Sequence, residues 1–312
     1  MRVIITGGTG MIGGALSASL AADGHEVIVL TRSPGRVRVL PPDVRAVGWD
    51  AMSADGCGEL ADGATAIVNL AGESIGGEHF IPDRWTAEKK HRIRQSRLDA
   101  GRAVVEAVRN AATKPQVVVQ ISGTDYYPAH ESGRFTESDP PGEGFLSSVV
   151  VDWEASTAPV EEYGVRRPVL RTGVVLSTKG GMLPRVLLPY RLFVGGPFGA
   201  GRQWWSWIHL EDLVRVIRFV VERPEAHGPI NAVAPESAQN STFGKTVARV
   251  LGRPHYFPLP AFAMRLALGE VASLVLEGRH VVPERLQAMG FEFRFPTLEA
   301  ALRDLLHPEE AR

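Results

Sequence analysis

Near the start of the chain, Gly7, Gly8, Gly10 and Gly13 lie in Ile5-Thr6-Gly7-Gly8-Thr9-Gly10-Met11-Ile12-Gly13-Gly14, a stretch that satisfies both G-x-x-G-x-x-G and G-x-G-x-x-G. Glycines at this spacing permit a tight turn, a side-chain-free approach for a diphosphate, and close contact between the following helix and a sheet. A helix opening near Met11, with Thr9, Gly10 and Ile12 around its first turn, would aim free N–H groups and its positive dipole end at that diphosphate. Glycines also serve ordinary turns, so the flanks decide. Val3-Ile4-Ile5 precedes the turn, Ala15-Leu16-x-x-x-Leu20 follows at helical spacing, Gly24 ends that helix, and His25-Glu26-Val27-Ile28-Val29-Leu30-Thr31 reads as a second strand. Strand, glycine turn, helix and strand within about thirty residues is the setting a dinucleotide fingerprint requires.

An acid at the end of the second strand would hold the ribose hydroxyls of NAD, but the chain reads Thr31-Arg32-Ser33-Pro34-Gly35-Arg36. Arg32 can fork onto a 2′-phosphate while Thr31 or Ser33 donates to it, so NADP(H) is the expected cofactor. The bland alternative makes Arg32 a solvated loop charge, and Arg36 and Arg38 stand open to either reading.

The elements that must position these groups recur along the chain. Val44 to Asp50, Ala66 to Ala71, Gln116 to Ser122, Arg167 to Leu176 and Ile230 to Val233 read as strands with helical stretches between them, which predicts an α/β fold built on a Rossmann-type, doubly wound parallel sheet. Thr86 to Ala112, proline-free and carrying Ile93, Leu98, Val104, Val105 and Val108, predicts a long helix, and His209 to Glu222 a shorter one returning to the sheet. From Leu176 to Trp207 the texture turns to glycine, proline and aromatics, and beyond Pro235 it is mainly helical. The expected division is a dinucleotide-binding lobe over 1–178, rejoined by 206–234, and a smaller substrate-binding cap over 179–312.

Ligands of such sheets bind at the carboxyl ends of the strands. That directs attention to Asp50, to Asn69-Leu70-Ala71-Gly72-Glu73, where Ala71 and Gly72 carry little bulk, to Ser122 through Tyr127, and to Arg171 through Val175.

Composition narrows the function classes. The chain has 312 residues, 44% of them hydrophobic, and a formal net charge of −1, which argues against a nucleic-acid-binding surface. The lone Cys57 excludes an intrachain disulfide and suits a reducing compartment. A strand beginning at Val3 leaves no room for a secretory signal, and the apolar stretch Ala261 to Leu276 is interrupted by Arg265 and Glu270, so a cytoplasmic protein without a membrane partner is expected, as monomer or homodimer. The nine histidines form no His-x-x-x-His pair, so no metal site is expected. Gly72-Glu73-Ser74-Ile75-Gly76 matches Gly-x-Ser-x-Gly letter for letter, but Gly77 and Pro82 follow where a nucleophile elbow needs its helix.

Taken together, these segments resemble the extended, atypical short-chain dehydrogenase/reductase superfamily, in its nucleoside-diphosphate-sugar epimerase-like branch with a C-terminal domain of unknown function. The resemblance runs essentially end to end: the glycine turn, Asn69-Leu70-Ala71-Gly72-Glu73, Ser96-Arg97, Tyr126-Tyr127, Asp152-Trp153-Glu154, Arg171-Thr172-Gly173-Val174-Val175-Leu176, Gly195-Gly196-Pro197, Trp207-Ile208-His209-x-x-Asp212, Asn231-Ala232-Val233-Ala234-Pro235, Arg253-Pro254, Leu276-Glu277-Gly278 and Gly290-Phe291. It implies NADP(H) binding with Thr31 and Arg32 at the adenosine phosphate, Leu70 and Ala71 along the cofactor, Arg97 near its phosphates, Val175 toward the nicotinamide, and Arg92 at a neighbouring contact position.

The superfamily's chemistry uses a tyrosine and a lysine four residues apart, the lysine lowering the phenol pKa for proton exchange during hydride transfer. No Tyr-x-x-x-Lys occurs here, and if Glu154 is the superfamily's glutamate eight residues after the tyrosine, the two slots hold Leu146 and Val150. Three functions follow as expectations: an NADP(H)-dependent oxidoreductase acting on a small molecule, with Tyr126 or Tyr127 as proton donor and Ser122 and Thr124 bonding the reacting oxygen; a non-catalytic NADP(H)-dependent sensor; or a nucleotide-sugar epimerase or dehydratase.

Gly199-Ala200-Gly201-Arg202-Gln203-Trp204-Trp205-Ser206-Trp207-Ile208-His209 packs aromatics and cations behind flexible glycines. Arg202 could meet a substrate carboxylate or phosphate, Gln203 a carbonyl and Trp204 a flat face, with Glu73 completing the pocket. Alternatively the tryptophans fasten the cap to the larger lobe.

Overall fold

The β-branched runs are covered on both faces, which is why they are nearly continuous rather than alternating. Val3, Ile4, Ile5 and Thr6 are all buried; Val3 and Ile5 join one core and Ile4 the other, as the two-residue pleat requires. The computed structural model describes residues 1–37, 40–77 and 79–307, so Arg38 lies outside the described residues, as does the Arg36 side chain.

The first half runs β1 (Arg2–Thr6), α1 (Met11–Ala22), β2 (Glu26–Thr31), β3 (Val44–Gly48), α2 (Gly58–Ala61), β4 (Ala66–Asn69), α3 (Ala87–Asn110), β5 (Val117–Gly123), α4 (Phe145–Ser156) and β6 (Pro168–Thr172). It continues through β7 (Val174–Leu176), α5 (Leu183–Arg191), β8 (Trp204–Trp205), β9 (Trp207–His209), α6 (Leu210–Glu222), β10 (Gly228–Ala232), β11 (Ala238–Gln239), α7 (Asn240–Leu251), α8 (Ala261–Leu268), α9 (Ser273–Leu276), α10 (Glu284–Ala288) and α11 (Leu298–Leu306).

Seven strands form one parallel sheet in the order β10-β6-β5-β4-β1-β2-β3. The chain direction across the sheet reverses between β1 and β4, and that switch point opens a crevice at the strands' carboxyl ends. Helices α1 and α6 cover one face through Leu16, Leu20, Leu213 and Ile217. Helix α3 covers the other with Ala100, Ala103, Val104, Ala107 and Val108, at helical spacing. Its N-terminus is capped by Thr86, whose hydroxyl accepts from the Lys89 N–H at 3.1 Å.

The run Arg167 to Leu176 is not one strand. It breaks at Gly173, where a Cβ would lie 2.6 Å from the Ser206 carbonyl oxygen, and β7 leaves the main sheet to pair in parallel with β9. Val174 N–H donates to that same carbonyl at 2.8 Å. Likewise β4 stops at Asn69, two residues short of the expected end, because the Thr6 hydroxyl accepts the N–H groups of both Leu70 and Ala71 at 3.1 Å.

A second core is built by Leu176, Leu183, Leu187, Trp205, Trp207, Phe243, Val247, Leu298 and Leu302. Trp207 is fully buried in it while its neighbour Ile208 belongs to the sheet's core, so β9 joins the two cores. Among the described residues no helix is long and apolar enough to cross a membrane; the stretch Ala261 to Leu276 is broken by a 3-10 turn at Gly269–Ala272.

Candidate active site

At the carboxyl end of β1, Gly7 adopts φ +64° and presses against the residue that follows β4: a Cβ there would sit 3.0 Å from the Leu70 carbonyl. Gly13, in the first turn of α1, is equally confined, its Cβ falling 2.5 Å from the Gly8 Cα. Gly10 differs, since a Cβ would meet only the Gly7 oxygen at 3.3 Å and would otherwise project into the space over the helix start. Gly10 is the N-cap of α1 and provides no side-chain bond, the first turn carries no acid, and Thr9 and Gly10 are exposed. Uncapped N–H groups facing an open, side-chain-free approach fit a diphosphate. A Cβ on Gly181 would lie 3.3 Å from the Met11 methyl and 3.5 Å from the Val175 oxygen, so the segment after β7 overhangs the start of α1. That brings Val175 to the same crevice.

Arg32 and Ser33 are exposed just beyond β2, with Thr31 half-buried and its hydroxyl accepting the Ser33 N–H at 3.3 Å. Among the described residues no carboxylate pairs with Arg32. Asp50 holds a local turn: its carboxylate accepts the N–H groups of Met52 and Ser53 at 2.8 and 2.9 Å, which keeps its pKa below the ordinary carboxylate value.

Beyond β4 the chain meets α3. Glu73 accepts from Lys89 Nζ at 2.7 Å and Arg92 Nε at 3.2 Å; burial pushes its pKa up, but these two cations outweigh burial and leave it lowered. Arg92, expected near the cofactor, is held by Glu73 and by Glu88 at 2.7 Å. Arg97 is buried, donates to the carbonyls of Glu73 and Ile93, and stacks 4.7 Å over Trp153. Burial brings its pKa down to about 10, still cationic at neutral pH, and its Nε has no partner among the described residues. Gly72 makes room for it: a Cβ there would lie 3.1 Å from the guanidinium carbon. Ser74 donates to the Gly77 carbonyl, and among the described residues between Ser74 and Ala87 no helix starts, so the strand–serine–helix geometry of a nucleophile elbow is not formed.

The residues after β5 divide sharply. Tyr127 is fully buried; its hydroxyl donates to Asn231 Oδ1 at 2.8 Å and accepts from Arg171 Nη1 at 3.0 Å, and burial pushes its pKa up to about 12. A phenol so held serves packing and hydrogen bonding. Ser122 is also committed, donating to Glu154 Oε1 at 2.6 Å. Tyr126 and Thr124 are half-buried in a 3-10 turn, and among the described residues neither hydroxyl has a protein partner. The Arg171 guanidinium lies 3.3 Å over the Tyr126 ring.

A cavity of about 460 Å³ opens between the start of α4 and the segment from α8 onward. Trp85, Phe145, Leu146, Ser147, Arg265 and Arg279 line it, with Trp85 and Phe145 meeting edge to face at 5.4 Å. Arg279 ties it to the end of β5 by pairing with Asp125 at 2.8 Å, and Ser147 donates to the Tyr126 carbonyl at 2.7 Å. Leu146 faces the cavity and Val150 is buried; these two fill the tyrosine and lysine slots if Glu154 is the superfamily's glutamate.

Residues 3–233 match the NAD dependent epimerase/dehydratase family, and residues 259–305 match a domain of unknown function, DUF1731. The chain belongs to the NAD-dependent epimerase/dehydratase family. It is 38% identical over 306 residues to an epimerase family protein of Staphylococcus haemolyticus, covering 98% of this chain and 99% of that one. Identity to the human epimerase family protein SDR39U1 is 37% over 309 residues, 98% of this chain and all (100%) of the relative. The crystal structure of human SDR39U1 (isoform 2) with NADPH superposes with a TM-score of 0.86 at 35% identity, covering 98% and 99% of the two chains. A UDP-galactose 4-epimerase at 17% identity and a TM-score of 0.72 shares the fold.

Within this family chain, the side chains of the aromatic loop make protein contacts of their own. Arg202 pairs with Glu131 at 3.0 Å on the surface; Gln203 spends its amide on the carbonyls of Phe198 and Val275; Trp204 donates to the Glu131 carbonyl and stacks on His280 at 4.2 Å. None of the three, nor Glu73, lines the cavity. The cavity's own residues went unsuspected because α4, α8 and Arg279 meet only in the folded chain. His209 caps α6, its Nδ1 accepting the Glu211 N–H at 3.1 Å. Among the described residues no cluster of His, Cys, Asp and Glu could hold a metal. Cys57 is buried, which pushes its thiol up to about 12 and leaves it unreactive.

Proposed function

We propose that the chain binds NADP(H) and exchanges hydride with a small carbonyl compound, or the corresponding alcohol, held in the cavity beside α4. The observation that carries the cofactor choice is Arg32: an exposed guanidinium at the end of β2, beside an open glycine cradle, in the place where an acid would select NAD. Gly7, Thr9, Gly10, Met11, Ile12 and Gly13 would hold the diphosphate, Thr31, Arg32 and Ser33 the 2′-phosphate, and Leu70, Ala71, Gly72, Arg97 and Val175 the remainder. Bound there, NADP(H) supplies or accepts the hydride. Thr124 and Tyr126 carry the hydroxyls left free for the substrate oxygen, and the Tyr126 phenol is the candidate to supply the proton.

Reduction suits the site better than sugar epimerisation, which requires a phenolate base, because no tyrosine in the chain has a lysine four residues on to activate it. A second reading, an NADP(H)-dependent sensor without turnover, is supported by Leu146 and by the engagement of Ser122 with Glu154. Steady-state oxidation of NADPH over a panel of carbonyls, enones and imines separates them. Turnover that falls in Tyr126→Phe supports the reductase; tight NADPH binding without oxidation of any panel member supports the sensor.

A further inference from the structure

The second lobe carries an apolar face that its own fold leaves uncovered. Tyr256, Phe262 and Leu266 are 80, 74 and 77% exposed, far beyond what scattered surface hydrophobics need. Leu192, Phe193, Val194 and Phe257 are exposed beside them. The two segments are stitched into one surface: Tyr256 and Phe257 donate their N–H groups to the Gly195 carbonyl at 2.9 and 3.1 Å, and Leu259 and Gly199 bond to Pro197 and Leu259 carbonyls at 2.9 and 2.8 Å. Phe193 holds a left-handed φ of +63°, a conformation that disfavours a bulky side chain, and its ring is nonetheless presented to solvent under the Arg253 guanidinium, 4.4 Å away. Helix α8 buries Met264 alone, so most of Ala261–Leu268 faces outward.

The charges along these two segments have one sign. No Asp or Glu occurs from Tyr163 to Leu210 or from Ser237 to Gly269, in a chain that as a whole carries 35 acids against 34 Lys and Arg. Exposed Arg191, Arg253 and Arg265 accompany the aromatics. Aromatic and aliphatic side chains among cations, with no carboxylate on the same segments, are complementary to an anionic bilayer surface, where rings enter the headgroup layer and guanidinium groups meet phosphates. A second copy docked face to face would oppose arginine to arginine without offering acids, which disfavours self-pairing. We propose that this face docks peripherally on an anionic lipid surface, with no segment crossing it. Arg265 also lines the cavity, so the docked face adjoins the cavity's edge.

Co-sedimentation of the full chain with vesicles tests the idea, using phosphatidylcholine alone and phosphatidylcholine mixed with phosphatidylglycerol. The protein is expected to bind the mixed vesicles, less so at high salt, and to bind the neutral ones weakly. Phe262→Ser with Leu266→Ser, and separately Arg253→Glu, are expected to weaken binding to the mixed vesicles about tenfold or more. Retained thermal unfolding and NADPH binding show that the variants are folded and keep this test independent of the cofactor proposal. Absence of binding to the mixed vesicles, binding that ignores these substitutions, or a dimer in light scattering that the Phe262/Leu266 variant abolishes while vesicles remain unbound would overturn it.

Discussion

Arg171 and Glu154 meet arm to arm, Nε to Oε1 and Nη2 to Oε2 each at 2.9 Å, with side chains only 5 and 14% exposed. The pair joins β6 to α4 and organises the ground behind the candidate site, since Glu154 also takes the Ser122 hydroxyl and Arg171 the Tyr127 hydroxyl. Removing one partner strands a charge in a nearly dry setting. Arg171→Met is expected to lower stability by about 3–5 kcal/mol, whereas the double variant Arg171→Met/Glu154→Leu recovers a large part of it. Urea denaturation of the two variants and the parent measures this; a double variant less stable than the single one contradicts it.

The adjacent tyrosines should separate stability from turnover. Tyr127→Phe leaves Asn231 and Arg171 each short of a partner and is expected to destabilise by about 1–2 kcal/mol. Tyr126→Phe deletes a hydroxyl without a protein partner, so stability should hold within about 0.5 kcal/mol. If the Tyr126 phenol is the proton donor, kcat falls about a hundredfold in that variant and not in the other.

Two neighbouring glycines of α1 should respond with opposite signs. Gly13→Ala drives a methyl into the Gly8 backbone and should weaken both stability and NADPH binding. Gly14→Ala meets nothing closer than the Gly8 oxygen at 3.9 Å and sits inside the helix, so it is expected to stabilise by about 0.5–1 kcal/mol. Thermal or urea unfolding of both variants decides.

His209 should impose a pH dependence on stability. Burial lowers its pKa; Asp304, Asp212 and Glu211 act the other way but do not outweigh burial, and Arg294 reinforces the lowering. The unfolded chain therefore protonates this histidine first, so the stability it confers is complete above about pH 6.5 and is lost as pH falls toward the depressed folded value. His209→Asn keeps a capping acceptor and removes the titration, so its urea midpoint should fall less steeply below that pH. A parallel decline in both proteins would refute the assignment.

What the sequence disclosed follows from where the causes lie. The sheet, the glycine turn, Arg32 and the helix over Ala87–Asn110 are set by local pattern, and their residues announced them. The break at Gly173 escaped because its cause, the Ser206 carbonyl, comes from the link between β8 and β9, far along the chain, while Arg167 through Leu176 still reads as one strand. Tyr126 and Tyr127 look alike as letters; only Arg171 and Asn231, brought in by β6 and β10, distinguish a bonded phenol from a free one. The loop at Arg202–Trp204 had the composition of a pocket wall, but Glu131, His280 and Val275 claim it.

The cofactor choice rests on Arg32, and calorimetric titration with NADPH and NADH tests it most directly. The parent is expected to bind NADPH at least about tenfold more tightly than NADH, and Arg32→Glu to abolish or invert that preference. Equal affinity for the two nucleotides, or no binding of either, would contradict the account.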